Sequence, residues 1–191
     1  MSLPTQRDKS QKKLLLTPSE MTIFAMLGAL MYCSKIVMEW APNIHLLGMF
    51  TMVYTLVYRT KGLIPIYIYV LLNGFFAGFA LWWIPYLYIW TILWGVTMLL
   101  PKRISPKAAA VVYPIICGMH GLLFGTLYAP AQAIMFGLNF KQTVAWIVAG
   151  LPWDAVHGAG NFVAGFLVLP LVKLLRKIDK NAYVIPHKNC A

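Results

Sequence analysis

Acidic side chains are scarce in this 191-residue chain: Asp and Glu together number 5, against 16 Lys and Arg, for a formal net charge of +11. Charged residues of both signs make up only 11% of it, well below the ~25% of an ordinary soluble domain, which excludes that class. Cysteine is also sparse. Cys33, Cys117 and Cys190 are an odd number at unrelated spacings, which gives neither a disulfide framework nor a metal-ligand pattern. No nucleophile elbow, HExxH, phosphate-binding loop or carboxylate pair occurs, so catalytic templates fit poorly and no catalytic or metal site is expected.

Hydrophobic residues fill the space the charges leave, at 60% of the chain. At ~20 residues per span, such a chain reads as one polytopic membrane bundle of about five to seven helices. Expected spans cover residues 21–37, 44–58, 63–82, 85–100, 108–128 and a last one from 151, which ends in the basic run Lys173, Arg176, Lys177. Residues 129–149 carry Pro130, Asn139 and Lys141 and read as an irregular or re-entrant loop with helical pieces. Thr17-Pro18-Ser19-Glu20 reads as a capping box that opens the first helix. Residues 1–16 are polar and basic with no cleavage pattern, so the first span is expected to act as an uncleaved anchor.

Charge orients the bundle. The N-terminal tail, Arg59 and Lys61, the turn with Lys102, Arg103 and Lys107, and the C-terminal tail share one side only if the spans number ~6. The expectation is an all-α bundle of six transmembrane helices over residues 17–178, with cytoplasmic tails at 1–16 and 179–191. Basic residues at segment ends speak for topology and lipid headgroups, not nucleic acid.

Against this apolar background, Asp154, His157 and Asn161 stand three and four residues apart in GLPWDAVHGAGNFVAGFLVLPLVKLL. An ionisable group inside a membrane helix points to a site facing a cavity. A polar network that only ties helices together, or a charge at a helix N-terminus, is the plainer account. Trp82, Trp83, Tyr86, Trp90 and Trp94 crowd the turn after the third span and the fourth span. An interfacial aromatic belt accounts for the first three. Trp90 and Trp94 lie deeper, where rings lining a pocket for a flat ligand are the competing account. His120 beside Gly118 and Gly121, and Asn73 beside Gly74, read as packing positions, and Glu39 reads as a partner of Lys35.

Taken together, the size and charge layout, the A-x-x-x-A of Ala25 and Ala29, Pro42-Asn43-Ile44, the Trp-rich fourth helix and the 150–177 ending resemble one family. They look like the substrate-binding S component of energy-coupling factor (ECF) vitamin transporters, in the branch that includes cobalamin and queuosine-precursor carriers. That branch shows an ending of the form GLPFDxxHAxGNF followed by PLxKLL. The resemblance implies a bacterial cell-membrane receptor for a vitamin-like heterocycle, with no cofactor of its own. It would dock through Ala25 and Ala29 onto a T component carrying two ATPases that use ATP, and topple to deliver its load. Trp83, Tyr86, Trp90 and Trp153 would then stack on the ring, and Asp154, His157 and Asn161 would bind its polar edge. Asn43 and His45 would close the outer wall. An acid with an amide suits an amidine-bearing ring such as a 7-deazaguanine, whereas wide aromatic walls also suit a corrin. Two other readings stand beside this one: a five-span tryptophan-rich tetrapyrrole sensor and a small structural membrane subunit.

Overall fold

The computed structural model describes residues 16–179, which are helical with no strand among them. The elements are α1 (Pro18–Val37), α2 (Leu47–Tyr58), α3 (Leu63–Ala77), α4 (Tyr86–Leu99), α5 (Pro106–Leu122), α6 (Phe124–Phe136), α7 (Phe140–Gly165) and α8 (Val168–Ile178). Short 3-10 turns cover Arg59–Gly62 and Leu81–Trp83. Cys190 and nearly all of both tails lie outside the described residues.

Local chemistry sets the helix starts. Thr17 accepts from the Glu20 N–H at 3.2 Å while Glu20 accepts from the Thr17 N–H at 2.9 Å, with Pro18 in the first turn. This is the expected capping box, and it satisfies two N–H groups that a helix start otherwise leaves orphaned. Ser105 before Pro106 opens α5 by accepting from the Ala108 N–H. Apolar on every side, α2 is the helix the others surround, and among its residues only Phe50 is not fully buried.

Pairwise contacts give each helix its direction. Lys61 meets Glu20, Gly28 lies against Pro65 and Ile68, and Tyr32 stacks on Phe76, so α1 and α3 run parallel. Between them, α2 runs the other way, with Tyr58 on Phe24 and the Tyr54 hydroxyl donating to the Leu27 carbonyl. The chain therefore reverses at Arg59–Gly62. Arg59 has a positive φ of 56°, and Gly62 comes so near Tyr54 that a Cβ there would sit 2.6 Å from the Tyr54 carbonyl oxygen. Tyr67 donates to the Leu87 carbonyl and Trp94 to the Arg59 carbonyl, which sets α4 antiparallel to α3. Tyr88 reaches the Leu127 carbonyl and Tyr128 the Trp82 carbonyl, so α5–α6 is antiparallel to α4. Returning along α5–α6, α7 pairs Asp154 with Gly125, Phe162 with Gly118 and Gly165 with Pro114. Then α8 ends beside α2, where Arg176 donates to the Leu56 carbonyl. Six rods thus alternate in direction, with α5–α6 and α7–α8 each forming one. Both ends of the described chain finish on the side that carries Arg59, Lys61 and Lys102.

Three helical stretches are long and apolar enough to cross a membrane: Pro18–Val37, Leu47–Ala77 and Pro106–Phe136. A fourth is Phe140–Gly165 with Val168–Ile178, if that pair, bent by 47°, counts as one. Of these, Leu47–Ala77 contains the reversal at Arg59, so its length is that of two antiparallel helices. Large side chains outside the bundle are apolar, among them Met26 at 67%, Phe75 at 72% and Leu99 at 86% exposure. So much exposed apolar surface fits lipid and not water.

Two expectations fail here. The last long helix starts at Phe140 and not near 151, which puts Asp154 mid-helix and not on a first turn. Residues 129–149 are not an irregular or re-entrant loop: α6 continues to Phe136, Gly137 closes it in the left-handed conformation at φ 63°, and α7 starts at Phe140. Asn139 and Gln142 form a second capping box, with bonds of 3.0 and 2.9 Å. A glycine closing one helix and an Asn-x-x-Gln opening the next spell a tight helical hairpin. Pro130 and Pro152 are carried inside the helices that flank it.

Candidate ligand-binding site

The polar face of α7 is buried where that helix meets α5 and α6, in the half of the bundle away from the chain ends. Asp154, His157 and Asn161 are 6%, 4% and 1% exposed. Each is accommodated by close helix approach. Gly125 offers its N–H to Asp154 Oδ1 at 3.0 Å, and any Cβ on Gly125 would collide with that carboxylate. A Cβ on Gly48 of α2 would likewise stand 2.7 Å from Asn161 Oδ1.

These three side chains play different parts. Asn161 is tied into the helix interface, donating to the His157 carbonyl at 3.1 Å and receiving the Cys117 thiol at 3.8 Å. In contrast, Asp154 Oδ2 and His157 Nε2 are buried with no partner among the described residues. The His157 ring opens onto an aromatic cluster, with centroids 4.5 Å from His45 and 4.7 Å from Phe124. Trp90, 1% exposed, is the hub of that cluster. Its ring lies 5.7 Å from His120, 5.9 Å from Tyr86, 6.0 Å from Phe124, 6.2 Å from Tyr69 and 6.3 Å from His45.

The cluster's polar atoms are left open. Trp90 Nε1, Tyr69 Oη, His45 Nδ1 and His120 Nδ1 are buried with no partner among the described residues, as are the two atoms on α7 and Asn73 Oδ1, one turn after Tyr69 on α3. A buried polar atom without a partner costs about 1–3 kcal/mol, so a group of them marks a place where something else supplies the bonds. Burial pushes the imidazole of His45, in the loop before α2, down to about 4, with the charges of His120 and Lys35 acting in the same direction. That ring is uncharged at neutral pH, and it faces the cluster as a neutral hydrogen-bonding group.

Of the residues singled out from the sequence, His45, Tyr86, Trp90, Asp154 and His157 are brought together. Trp83 sits at the rim, its indole donating to the Val70 carbonyl at 2.8 Å. Asn43, at a positive φ of 59°, is exposed in the loop before α2. Trp153 is 60% exposed and points out of the bundle. Neither joins the cluster. Ala25 and Ala29 are exposed on the outer face of α1, while Gly28 makes that helix's close contact with α3. Lys35 and Glu39 are paired at 2.6 Å, as expected.

His120, Phe124 and Tyr69 belong to the cluster but are not among the ligand groups expected from the sequence. A signal was present for His120 and Phe124: they lie one turn apart on a helix whose Gly121 and Gly125 face α7. Among the described residues, no group of three or more His, Cys, Asp or Glu side chains is placed to hold a metal ion. No protein-family model matches the sequence, and no curated protein or solved structure matches it.

Proposed function

We propose that the chain is the substrate-binding S component of an ECF-type importer in a bacterial cell membrane. In this reading six spans cross the bilayer, the basic end with both termini faces the cytoplasm, and the Trp90 cluster takes its ligand from outside. The ligand is a vitamin or vitamin-like heterocycle, with cobalamin or a 7-deazaguanine-type queuosine precursor first in line. A T component and two ATPase subunits supply the ATP-driven step, and the loaded bundle topples to deliver its ligand.

One observation carries this reading: an aromatic box with unpartnered polar atoms, buried in a bundle whose outside is apolar. Aromatic faces suit a planar ring, and the open polar atoms suit its edge. Further support comes from Ala25 and Ala29, which lie on the outer face of α1 instead of inside the bundle. Two small residues one turn apart on a lipid-facing surface allow a partner helix to approach closely.

Native mass spectrometry of the gently purified chain tests the reading. A co-purified heterocycle of fixed mass, lost from Asp154→Ala, is the expected result. A chain that carries only lipid, with Asp154→Ala indistinguishable from the parent, would shift the assignment to a structural membrane subunit.

A further inference from the structure

Of the open polar atoms whose role is fixed, most are acceptors, while Tyr69 Oη and the free ring nitrogens of His45 and His157 can act either way. Asp154 Oδ1 already takes the Gly125 N–H, so the buried Oδ2 keeps its lone pairs unused. His120 Nε2 lies 3.3 Å from the Ile89 carbonyl oxygen. A carbonyl only accepts, so Nε2 carries the N–H, and in the uncharged ring Nδ1 is then a bare acceptor. That Nδ1 is buried without a donor. Asn73 Oδ1 is a third acceptor in the same condition, and Trp90 Nε1 is the one atom in the set that can only donate. His120 and Asp154 flank Phe124: His120 is one turn before it, and Asp154 bonds the residue after it.

Charge points the same way. The cluster has one acid and no lysine or arginine, and Lys35, whose charge reaches His45, is held by Glu39 at 2.6 Å. An anionic guest would meet a carboxylate and bare lone pairs with no countercharge, in a place where desolvating a charge is costly.

The geometry points to His120 and Asp154 as the specificity residues of this site. Both accept hydrogen bonds from a donor-rich edge, of amidine or guanidine type, on a planar heterocycle that is neutral or cationic. This assignment rests on the ligand-receptor reading above and adds to it the sign and hydrogen-bond polarity of the guest. It also moves His120 from a packing position to a ligand contact.

Equilibrium dialysis of the full-length chain in detergent against three compounds of similar size tests it, with empty micelles as background. The probes are 2-aminobenzimidazole, a planar cyclic guanidine; 2-methylbenzoxazole, which has no N–H; and benzimidazole-2-carboxylate, an anion. The expected result is retention of the first, with the other two about tenfold or more weaker. Asp154→Asn and His120→Leu should each weaken the first by about tenfold, while His120→Asn, whose amide oxygen can stand in for Nδ1, should keep most of it. Size-exclusion profiles and melting curves establish that the variants are folded. Equal retention of all three probes would overturn the donor-edge assignment and leave a heterocycle site standing. Unchanged binding by folded His120→Leu would remove His120 from the site. Retention of none above empty micelles would overturn this inference, and the receptor reading falls with it only if native mass spectrometry also finds no co-purified heterocycle.

Discussion

The two halves of this bundle treat polar atoms in opposite ways. Where the described residues begin and end, nearly every polar group has a partner within the protein. Glu20 closes the capping box and takes Lys61 at 2.5 Å, and Tyr58 donates to Asp179 at 2.5 Å. Arg59 and Arg176 donate to the Met98 and Leu56 carbonyls, which belong to the last turns of α4 and α2, where a cation is favoured. Among the described residues, Arg176 Nε is buried and unpartnered there, and Thr51 Oγ1, midway along α2, is in the same condition. In the other half, His45, Tyr69, Asn73, Trp90, His120, Asp154 and His157 each hold a buried polar atom that no chain atom satisfies. Seven such atoms at about 1–3 kcal/mol each would rival the whole stability of a domain. The paired half is organised for folding, and the open half carries unused hydrogen-bonding capacity, as the proposed ligand site requires.

Removing a partner from the paired half should give the largest stability change. Glu20→Ala breaks the capping box and the Lys61 ion pair together, and Lys61 is 35% exposed, so the pair itself adds little. A loss of about 1–2 kcal/mol is expected, nearly all from the cap, read as a lower melting temperature of the purified chain. The matching change in the open half should go the other way. His120→Leu deletes a buried acceptor that nothing in the chain satisfies, at the expense of one 3.3 Å bond to Ile89. Without ligand, its melting temperature should stay level or rise. If His120→Leu instead destabilised as much as Glu20→Ala, the contrast between the halves would collapse.

A subtler test uses pH. His45 folds with its pKa pushed down to about 4 from an ordinary 6.5, so the unfolded chain takes up its proton first as pH falls. Stability from this residue is therefore complete above about 6.5 and declines as pH drops towards 4. His45→Gln should flatten melting temperature against pH across that window without moving the alkaline side. An unchanged slope would mean that His45 is already charged or solvated in the fold.

How much of this was legible beforehand depends on the range of the signal. Capping boxes and charged turns are local, and Thr17-Pro18-Ser19-Glu20 announced its helix start as well as any motif can. The 129–149 stretch carried equally local signals in Gly137, Asn139 and Gln142. Pro130 within it suggested a break, yet Pro130, like Pro152 just beyond it, lies inside a helix that packing sustains. The site was half legible. Asp154 and His157 stand out as ionisable groups in an apolar run, but the rings around them come from α3, α4, α5, α6 and the loop before α2, a convergence that no single-helix spacing encodes. Asn161 shows the limit in the other direction: it shares a face with Asp154, yet its amide is used up inside the helix interface.

The smallest effect belongs to Trp153, and it separates sequence adjacency from spatial role. It precedes Asp154 by one residue, and successive residues on a helix point about 100° apart. Burying Asp154 against Gly125 therefore swings Trp153 outward, where it is 60% exposed. Trp153→Ala should leave ligand retention and the ligand-free melting temperature within about 0.5 kcal/mol of the parent, as expected for a side chain without buried partners. Trp90→Ala, two rods away but at the hub of the cluster, should abolish retention of the same ligand. Comparable losses from both would place the ligand on the outer surface of α7 and overturn the Trp90 box as its seat.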